Sequence, residues 1–248
     1  MTLEQTLESL GIGLPPDSID AIIRQGVKDA LAHKDILAHI AQAEVDRRRV
    51  RSFRRRLAQS HLGHAPALAD FDFQHPTRID RALVEQAFTL RFLDEGGAVL
   101  LVAPTGLGKT HLARALVQTA LAAGHHALLV DAMDALDDLV AARAAGRLRT
   151  RLRHYLRPPL LCLDGLAYQR IDIERIDLLY EVVRKRYDAG RALVITTSLS
   201  FAQWPTVMPS TAATAALVDR LVHKAIVITI DGDSYRKRQA HERAARHD

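Results

Sequence analysis

A glycine-rich segment in the middle of the chain carries the residue types that bind nucleotide phosphates. It reads, in order, Ala103, Pro104, Thr105, Gly106, Leu107, Gly108, Lys109, Thr110 and His111. In such a loop successive backbone N–H groups converge on phosphate oxygens, Lys109 adds a positive charge, and Thr110 supplies a hydroxyl to Mg²⁺. Alanine replaces the first glycine of the pattern, and we expect Ala103 to be tolerated because it adds little bulk. The segment predicts a site for a nucleoside triphosphate and Mg²⁺.

A lone acid provides the second part of this site. Asp164 directly follows the apolar run 159–163, and a carboxylate at the end of a neighbouring strand holds hydrated Mg²⁺ in proteins with a phosphate loop. We therefore predict that Thr110 and Asp164 bind the metal together. The alternative interpretation is that Asp164 caps the next helix, but the apolar run before it favours a position beside the phosphate loop.

The elements that must position these residues follow from the hydrophobic pattern. Short apolar runs alternate with helical segments from Gly97 onward. The runs are residues 98–102, 127–130, 160–163, 192–197 and 225–230. Buried parallel strands joined by crossover helices have sequences of this kind. The pattern predicts an α/β fold of three layers, αβα, with a five-stranded parallel sheet and the phosphate loop after its first strand. The strand before the loop and the helix after it disfavour a chance Gly-Lys-Thr match.

The first part of the chain has a different pattern. Apolar residues recur at helical spacing after the Pro-Pro-Asp sequence at residues 15–17, which is typical of a helix start. Further along, Thr77 and Asp80 predict a capping box for a helix that reaches about Leu93. The predicted domains are a small all-α basic domain over residues 1–66, a nucleotide-binding domain over 67–235, and a basic tail over 236–248.

Composition limits the class of protein. The chain is 48% hydrophobic and 25% charged, so it can bury a core and is neither fibrous nor disordered. No apolar run reaches the roughly 18 to 20 residues that span a bilayer, and the polar start lacks the pattern of a signal peptide. Cys162 is the only cysteine, which excludes an intrachain disulfide. We expect a cytoplasmic protein.

The positive charge is concentrated in two segments. The first contains Arg47, Arg48, Arg49, Arg51, Arg54, Arg55 and Arg56. Val50, Phe53 and Leu57 are spaced as one stripe of a helix, which leaves the arginine face for the phosphates of DNA. Binding of this kind tolerates any sequence and weakens with salt. The alternative interpretation is a solvated linker helix.

The second basic segment lies between the second and third predicted strands. Gly146 is expected to end the preceding helix, and Arg147, Arg149 and Arg151 follow it. These arginines are further candidates for contact with a DNA backbone. A solvent-exposed helix and turn explains the spacing equally well.

Several other motifs extend over nearly the whole chain. They are the Asp-Phe-Asp-Phe sequence at 70–73, the phosphate loop, and residues 184–187, 195–204, 217–221 and 232–236. On these motifs the sequence resembles the IstB family of transposition helper ATPases, which are related to the bacterial DnaC helicase loaders. The late motifs are the most specific, because many ATPases share a phosphate loop.

The resemblance implies an AAA+ protein that binds ATP and Mg²⁺, assembles as a homo-oligomer on duplex DNA, and recruits or stimulates a cognate transposase. It implies that Asp164 is the Walker B acid and that Ser198 occupies the sensor position. Arg220 resembles the arginine finger that reaches the γ phosphate bound by a neighbouring subunit. The alternative for Arg220 is a surface arginine paired with Asp219, and Arg236 is a weaker candidate contact. In related initiators the second basic segment faces a central channel.

The sequence departs from the family pattern at three positions. Ala103 affects the binding loop, whereas Gly165 and Ser198 stand where the family has a glutamate and an asparagine that act on the attacking water or the γ phosphate. Glycine cannot act as a base. We expect ATP binding to be retained better than hydrolysis, and restoration of hydrolysis by Gly165→Glu would support this expectation.

Two other functions are compatible with the same residues. A helicase loader of the DnaC type would bind a replicative helicase instead of a transposase. A DNA scaffold with a nucleotide pocket that does not hydrolyse ATP is the non-enzymatic alternative.

Overall fold

The computed structural model describes residues 3–63, 66–209 and 212–235. The chain consists of two compact units, Met1–Arg55 and Arg56–Asp248, and the division between them falls inside a long helix. The predicted domain boundary near residue 66 lies beyond that helix and stays a prediction. The predicted tail, with Arg236, lies outside the described residues.

The first unit is helical, as predicted. Its helices are α1 (Leu3–Ser9), α2 (Pro16–Lys28) and α3 (His33–Gln59), the last of which extends into the second unit. Helix α2 begins at Pro16, where the fixed φ of proline suits the first helical position. A Cβ atom at Gly26 would lie 2.6 Å from Cγ1 of Ile36. Helices α2 and α3 therefore pack closely at Gly26, where a side chain would clash.

The second unit is built on a six-stranded sheet. Its strands are β1 (Arg78–Ile79), β2 (Ala98–Val102), β3 (Ala127–Asp131), β4 (Leu160–Leu166), β5 (Ala192–Thr197) and β6 (Ala225–Asp231). They lie in the order β1-β6-β2-β5-β4-β3. The five predicted strands are confirmed and run parallel to one another. The sixth, β1, is an antiparallel edge strand that the sequence pattern missed because it has only two residues.

Helices cover both faces of this sheet. They are α4 (Arg81–Phe88), α5 (Arg91–Asp94), α6 (Lys109–Ala122), α7 (Ala132–Ala144), α8 (Leu148–Leu156), α9 (Ile173–Asp188) and α10 (Ala212–His223). Helices α4 and α6 pack together on one face, and α7, α9 and α10 pack on the other. Every residue of β2 and β5 is buried, as expected for strands covered on both faces. The three-layer fold is confirmed.

The predicted helix from Thr77 to about Leu93 is confirmed only in part, because helix α4 begins at Arg81 and ends at Phe88. Arg78 and Ile79 pair with β6 as a strand, and the Asp80 side chain then caps α4 by accepting the Leu83 N–H at 3.1 Å. Pairing with β6 satisfies the backbone N–H and C=O groups of residues 78 and 79, which a helix would otherwise have satisfied. The helix therefore starts after this strand and not at Thr77.

Two expectations from composition can be compared with the structure. Cys162 is fully buried in β4, where burial raises the pKa of its thiol. Across residues 3–63, 66–209 and 212–235, every helix is too short or too polar to cross a bilayer.

Candidate nucleotide-binding site

The phosphate loop joins β2 to α6 at the carboxyl edge of the sheet. Gly106 and Gly108 have φ angles of +90° and +83°, which side chains other than glycine rarely adopt. A Cβ atom at Gly108 would also lie 2.6 Å from the ring of Phe71. Both glycines are therefore required by the backbone. Ala103 is accommodated, since its N–H donates to the Thr197 carbonyl at 3.1 Å and continues the pairing of β2 with β5.

Lys109 is the first residue of α6 and folds back over the loop. Its Nζ donates to the carbonyl oxygens of Ala103 at 2.6 Å and Pro104 at 2.9 Å. The ammonium group thus lies within the turn formed by the loop, where the N terminus of α6 also favours negative charge. If a phosphate bound here, Lys109 could donate to its charged oxygens instead of to the carbonyl oxygens of Ala103 and Pro104.

Thr110 and Asp164 meet as predicted. The Thr110 hydroxyl donates to Oδ1 of Asp164 at 3.1 Å, and the hydroxyl of Thr196 donates to the same oxygen. The Gly165 N–H in turn donates to the Thr196 hydroxyl oxygen at 2.8 Å. Thr196 is buried on β5 and fixes the Asp164 carboxylate toward the loop. Thr196 was not predicted from the sequence, although a threonine at the end of an otherwise apolar strand was a usable signal.

These oxygen donors fit Mg²⁺. The metal prefers oxygen ligands and commonly takes one or two from the protein and the rest from water and substrate phosphates. Thr110 supplies a hydroxyl and Asp164 a carboxylate, and their oxygens are close enough to share one ion. The bound metal would neutralise charge on the nucleotide phosphates.

Aromatic residues form the opposite wall of the site. Residues 70–72, 75 and 76, the loop residues 105–111 and Tyr235 surround a cavity of about 360 Å³. Nε2 of His75 lies 2.8 Å from the Asp233 carbonyl oxygen, the rings of His75 and Tyr235 are 4.9 Å apart, and the Tyr235 N–H donates to the Gly106 carbonyl at 3.0 Å. An aromatic and apolar wall beside a phosphate loop suits the base and sugar of a nucleotide. Tyr235 lies in a motif of the resemblance and His75 does not, and the role of neither residue was predicted from the sequence.

The remaining predicted catalytic residues, Ser198 and Arg220, lie at opposite edges of the sheet. Ser198 directly follows β5 and is half-buried at the same edge of the sheet as the loop. Arg220 is on α10, with its guanidinium 5.1 Å from the ring centroid of Tyr180 and a hydrogen bond to the Ala216 carbonyl at 3.3 Å. It borders Ala98 near the amino ends of the strands, which is the opposite edge. Arg220 is therefore not brought to the phosphate loop of its own chain.

Gly165 interrupts β4. Its φ of +76° accompanies an irregular register between Leu163 and Leu166. A residue with a side chain would be strained there by roughly 1 to 2 kcal/mol. Gly165→Glu would therefore also distort the strand that carries Asp164, so a failure of this variant to hydrolyse ATP would not by itself exclude a role for the missing glutamate.

The first basic segment is divided between arginines that hydrogen-bond to a buried glutamate and arginines that do not. Glu44 is buried on α3 and accepts from Nε of Arg47 at 3.0 Å and Nε of Arg48 at 2.7 Å. These two hydrogen bonds lower the pKa of Glu44 to about 2. Glu44 also accepts the Gly13 N–H at 3.1 Å, and Arg48 donates to the Gly11 carbonyl at 2.6 Å. Glu44 and its arginine partners therefore link α3 to the segment between α1 and α2.

The other arginines of α3 behave differently. In the second unit, Arg56 donates to the Leu121 carbonyl at 3.1 Å. Arg49 lies 3.5 Å from Asp46 and both side chains are largely exposed. The rest are exposed to solvent, and they are Arg51, Arg54 and Arg55.

The second basic segment shows a similar division. Gly146 separates α7 from α8 as predicted, with Arg147 and Arg149 exposed after it. Arg151 instead forms an ion pair with Asp138 of α7, which also accepts the hydroxyl of Tyr155 at 2.6 Å. Burial raises the pKa of Asp138, but the hydrogen bonds from Arg151 and Tyr155 outweigh it and leave the pKa below its usual value.

The strand order, the phosphate loop and the acid on the neighbouring strand define a P-loop fold of the AAA+ class. Residues 7–243 match the family of IstB-like ATP binding proteins. The chain belongs to this family.

Relatives from insertion sequences match most of the chain. A Geobacillus stearothermophilus protein named for ATP binding and for the insertion sequence IS5376 is 28% identical over 209 residues, 84% of this chain and 83% of its own length. One named for IS21, from Pseudomonas aeruginosa, is 30% identical and covers 89% of this chain and 83% of itself. Another, from Mycobacterium tuberculosis, is 30% identical over 96% of this chain and 94% of its own length.

Solved structures share the fold at lower identity. The DnaC helicase loader has a TM-score of 0.53 and 22% identity, covering 66% of this chain and 97% of its own. DnaA from Aquifex aeolicus bound to AMPPCP has a TM-score of 0.59 and 18% identity, covering 70% of this chain and 52% of its own.

Proposed function

We propose that this chain is an ATP-dependent DNA-binding helper that assembles from several copies on DNA and recruits or stimulates a cognate transposase. The arrangement of Lys109, Thr110 and Asp164 around one loop carries the proposal, because it supplies a cation and two metal donors at a helix N terminus. The insertion-sequence names of the relatives support a role in transposition.

DNA binding is supported by the exposed arginines. Arg51, Arg54 and Arg55 lie on one helix and face solvent. Exposed guanidinium groups at this density suit contact with successive phosphates and carry no sequence preference of their own. We therefore assign the DNA contact chiefly to this part of α3.

Assembly is supported by the position of Arg220. It lies at the opposite edge of the sheet from its own phosphate loop, so it can act as an arginine finger only on a nucleotide held by another copy. ATP bound between copies would stabilise the assembly by mass action. Because Gly165 supplies no carboxylate, we propose that hydrolysis is slow and that bound ATP mainly holds the copies together.

The test combines nucleotide binding with imaging of assemblies. Purified full-length chain would be mixed with duplex DNA and no nucleotide, ATP or a non-hydrolysable analogue, and examined by negative-stain microscopy and sedimentation. We expect rings or filaments on DNA only with ATP or the analogue. Lone monomers under all conditions would contradict the proposal.

Lys109→Ala provides the matched variant. It should weaken ATP binding at least about tenfold through loss of a charge-assisted contact, and it should abolish assembly. Lys34→Ala removes an exposed lysine of α3 and should bind ATP normally. Capture of a purified transposase by the assembled form supports the helper role, whereas capture of a replicative helicase instead would make the chain a loader.

A further inference from the structure

We propose that Asp131 is the general base for the slow hydrolysis of ATP in this chain, taking over the task for which Gly165 has no side chain. The inference rests on the ATP site proposed above. It assigns a catalytic role to a residue outside the phosphate loop, the Walker B strand and the sensor position.

The sheet places Asp131 beside the Walker B acid. Asp131 is the last residue of β3 and pairs in register with Asp164 on the parallel strand β4. Carboxyl ends of neighbouring parallel strands meet at the same edge of the sheet, and here that edge also carries the phosphate loop. Asp131 is exposed, so water reaches its carboxylate.

The two oxygens of Asp131 face different partners. Oδ1 caps α7 by accepting the N–H groups of Met133 at 2.8 Å and Asp134 at 3.2 Å. Those bonds fix the orientation of the carboxylate. Oδ2 then lies 3.6 Å from the position where a Cβ atom of residue 165 would stand. A carboxylate oxygen therefore borders the space that a glutamate at position 165 would enter.

Asp164 is less suited than Asp131 to act as the general base. Its Oδ1 already accepts the hydroxyls of Thr110 and Thr196, which orient it toward the metal and the loop. Capping of α7 explains Oδ1 of Asp131, whereas Oδ2 borders Gly165 and accepts no hydrogen bond from the part of the chain that the structure describes. The pairing of a missing carboxylate with a neighbouring carboxylate points to replacement of function.

The proposed step is simple proton transfer. Asp131 accepts a proton from water while the water oxygen forms a bond to the γ phosphorus. The bond from the γ phosphorus to the bridging oxygen breaks, and its electron pair leaves with ADP. The products are ADP and inorganic phosphate, and the proton passes from Asp131 to solvent.

Asp131→Asn separates the base from the cap. Asparagine caps helices as well as aspartate does, so α7 should keep its N terminus and the melting temperature should change little. We expect single-turnover hydrolysis of radiolabelled ATP to slow by about 100-fold while ATP affinity is retained. Asp131→Glu should recover part of the rate.

Assembly on DNA gives a readout besides turnover. If ATP persists in the variant, assemblies formed by Asp131→Asn should dissociate more slowly after dilution than wild-type assemblies. Asp80→Asn is the matched control, since Asp80 caps α4 beside the edge strand β1. It should change neither the hydrolysis rate nor the lifetime.

The outcomes separate this inference from the proposed function. Equal hydrolysis by wild type and Asp131→Asn overturns the role of Asp131, and so does a wild-type chain that binds ATP and never hydrolyses it. In both cases ATP-dependent assembly on DNA still stands if microscopy detects it. A wild-type chain that fails to bind ATP overturns the proposed function and the role of Asp131 together.

Discussion

Two arginine-rich helices, α3 in the first unit and α8 in the second, use acidic partners in different ways. In α3 the partner is on the same helix, since Glu44 accepts from Arg47 and Arg48 at spacings of three and four residues. In α8 the partner is on another helix, because Arg151 reaches Asp138 of α7. A dense run of arginines is therefore not uniform, because some of its guanidinium groups are paired with a carboxylate of the same chain.

Arg186 differs from the arginines of α3 and α8 because its side chain is completely removed from solvent. Arg186 of α9 is fully buried, and its guanidinium donates to the carbonyls of Tyr155, Pro158, Pro159 and Ala192 at 2.5 to 3.0 Å. Burial lowers the pKa of this guanidinium, and the carbonyl oxygens offset the loss of water. Arg186 therefore joins α9 to the end of α8 and the start of β4 and β5.

The largest effect is expected from Arg186→Met. Methionine fills much of the volume but leaves buried carbonyl oxygens without donors, each costly on its own. We expect the free energy of unfolding to fall by about 3 kcal/mol or more. Urea unfolding of the full-length chain measures it.

Arg184→Met is the matched control for Arg186. Arg184 is on the same helix and pairs with Asp188 at 3.1 Å, where both side chains are well exposed. An exposed pair contributes only about 0 to 1 kcal/mol. Equal destabilisation by the two variants would contradict the structural role of Arg186.

A smaller effect is expected on DNA binding, and it tests the arginines of α3 that are not paired with Glu44. The double variant Arg54→Ala/Arg55→Ala should flatten the dependence of log K on log salt by about two, one for each lost phosphate contact. Titration of a labelled duplex at several salt concentrations measures the slope. The corresponding pair at the start of α8, Arg147→Ala/Arg149→Ala, tests whether the second segment also contacts DNA.

The control for this experiment removes equal charge elsewhere. Arg24 and Lys28 are exposed on α2, and Arg24→Ala/Lys28→Ala should leave the slope nearly unchanged. If this variant flattens the slope as much as the Arg54 and Arg55 variant, net charge and not the face of α3 governs binding.

The phosphate end of the nucleotide site was predictable from the sequence, and its other parts were not. A phosphate loop is encoded locally, so Gly106, Gly108, Lys109 and Thr110 could be placed from their spacing alone. Asp131, Thr196 and Tyr235 reach the site only through strand register or a turn far along the chain. No local pattern contains those distances.

The same distinction applies to the fold. Apolar runs predicted the five parallel strands because burial on both faces determines their composition. The edge strand β1 was missed, since pairing with β6 rather than hydrophobicity determines it. Among the arginines, the pairs of Glu44 follow helical spacing, whereas the Asp138 pair depends on how α7 packs against α8.

The smallest effect is expected on the pH dependence of stability, and it tests whether the charge of Glu44 fixes the positions of Arg47 and Arg48. Their hydrogen bonds lower the pKa of Glu44 from 4.5 to about 2. A lowered pKa stabilises the folded state above the unfolded value, so this stabilisation is present at neutral pH and is lost as the pH falls from about 4.5 toward 2.

Thermal melts of the wild type and Glu44→Gln at several pH values measure this contribution. The variant should melt lower at pH 7, and the gap should close in acid. Asp46→Asn removes an exposed partner of Arg49 and should show little gap at any pH. A gap for Glu44→Gln that does not change with pH would mean that packing, not charge, fixes these arginines, and the distinction between the arginines paired with Glu44 and the other arginines of α3 would lose its electrostatic basis.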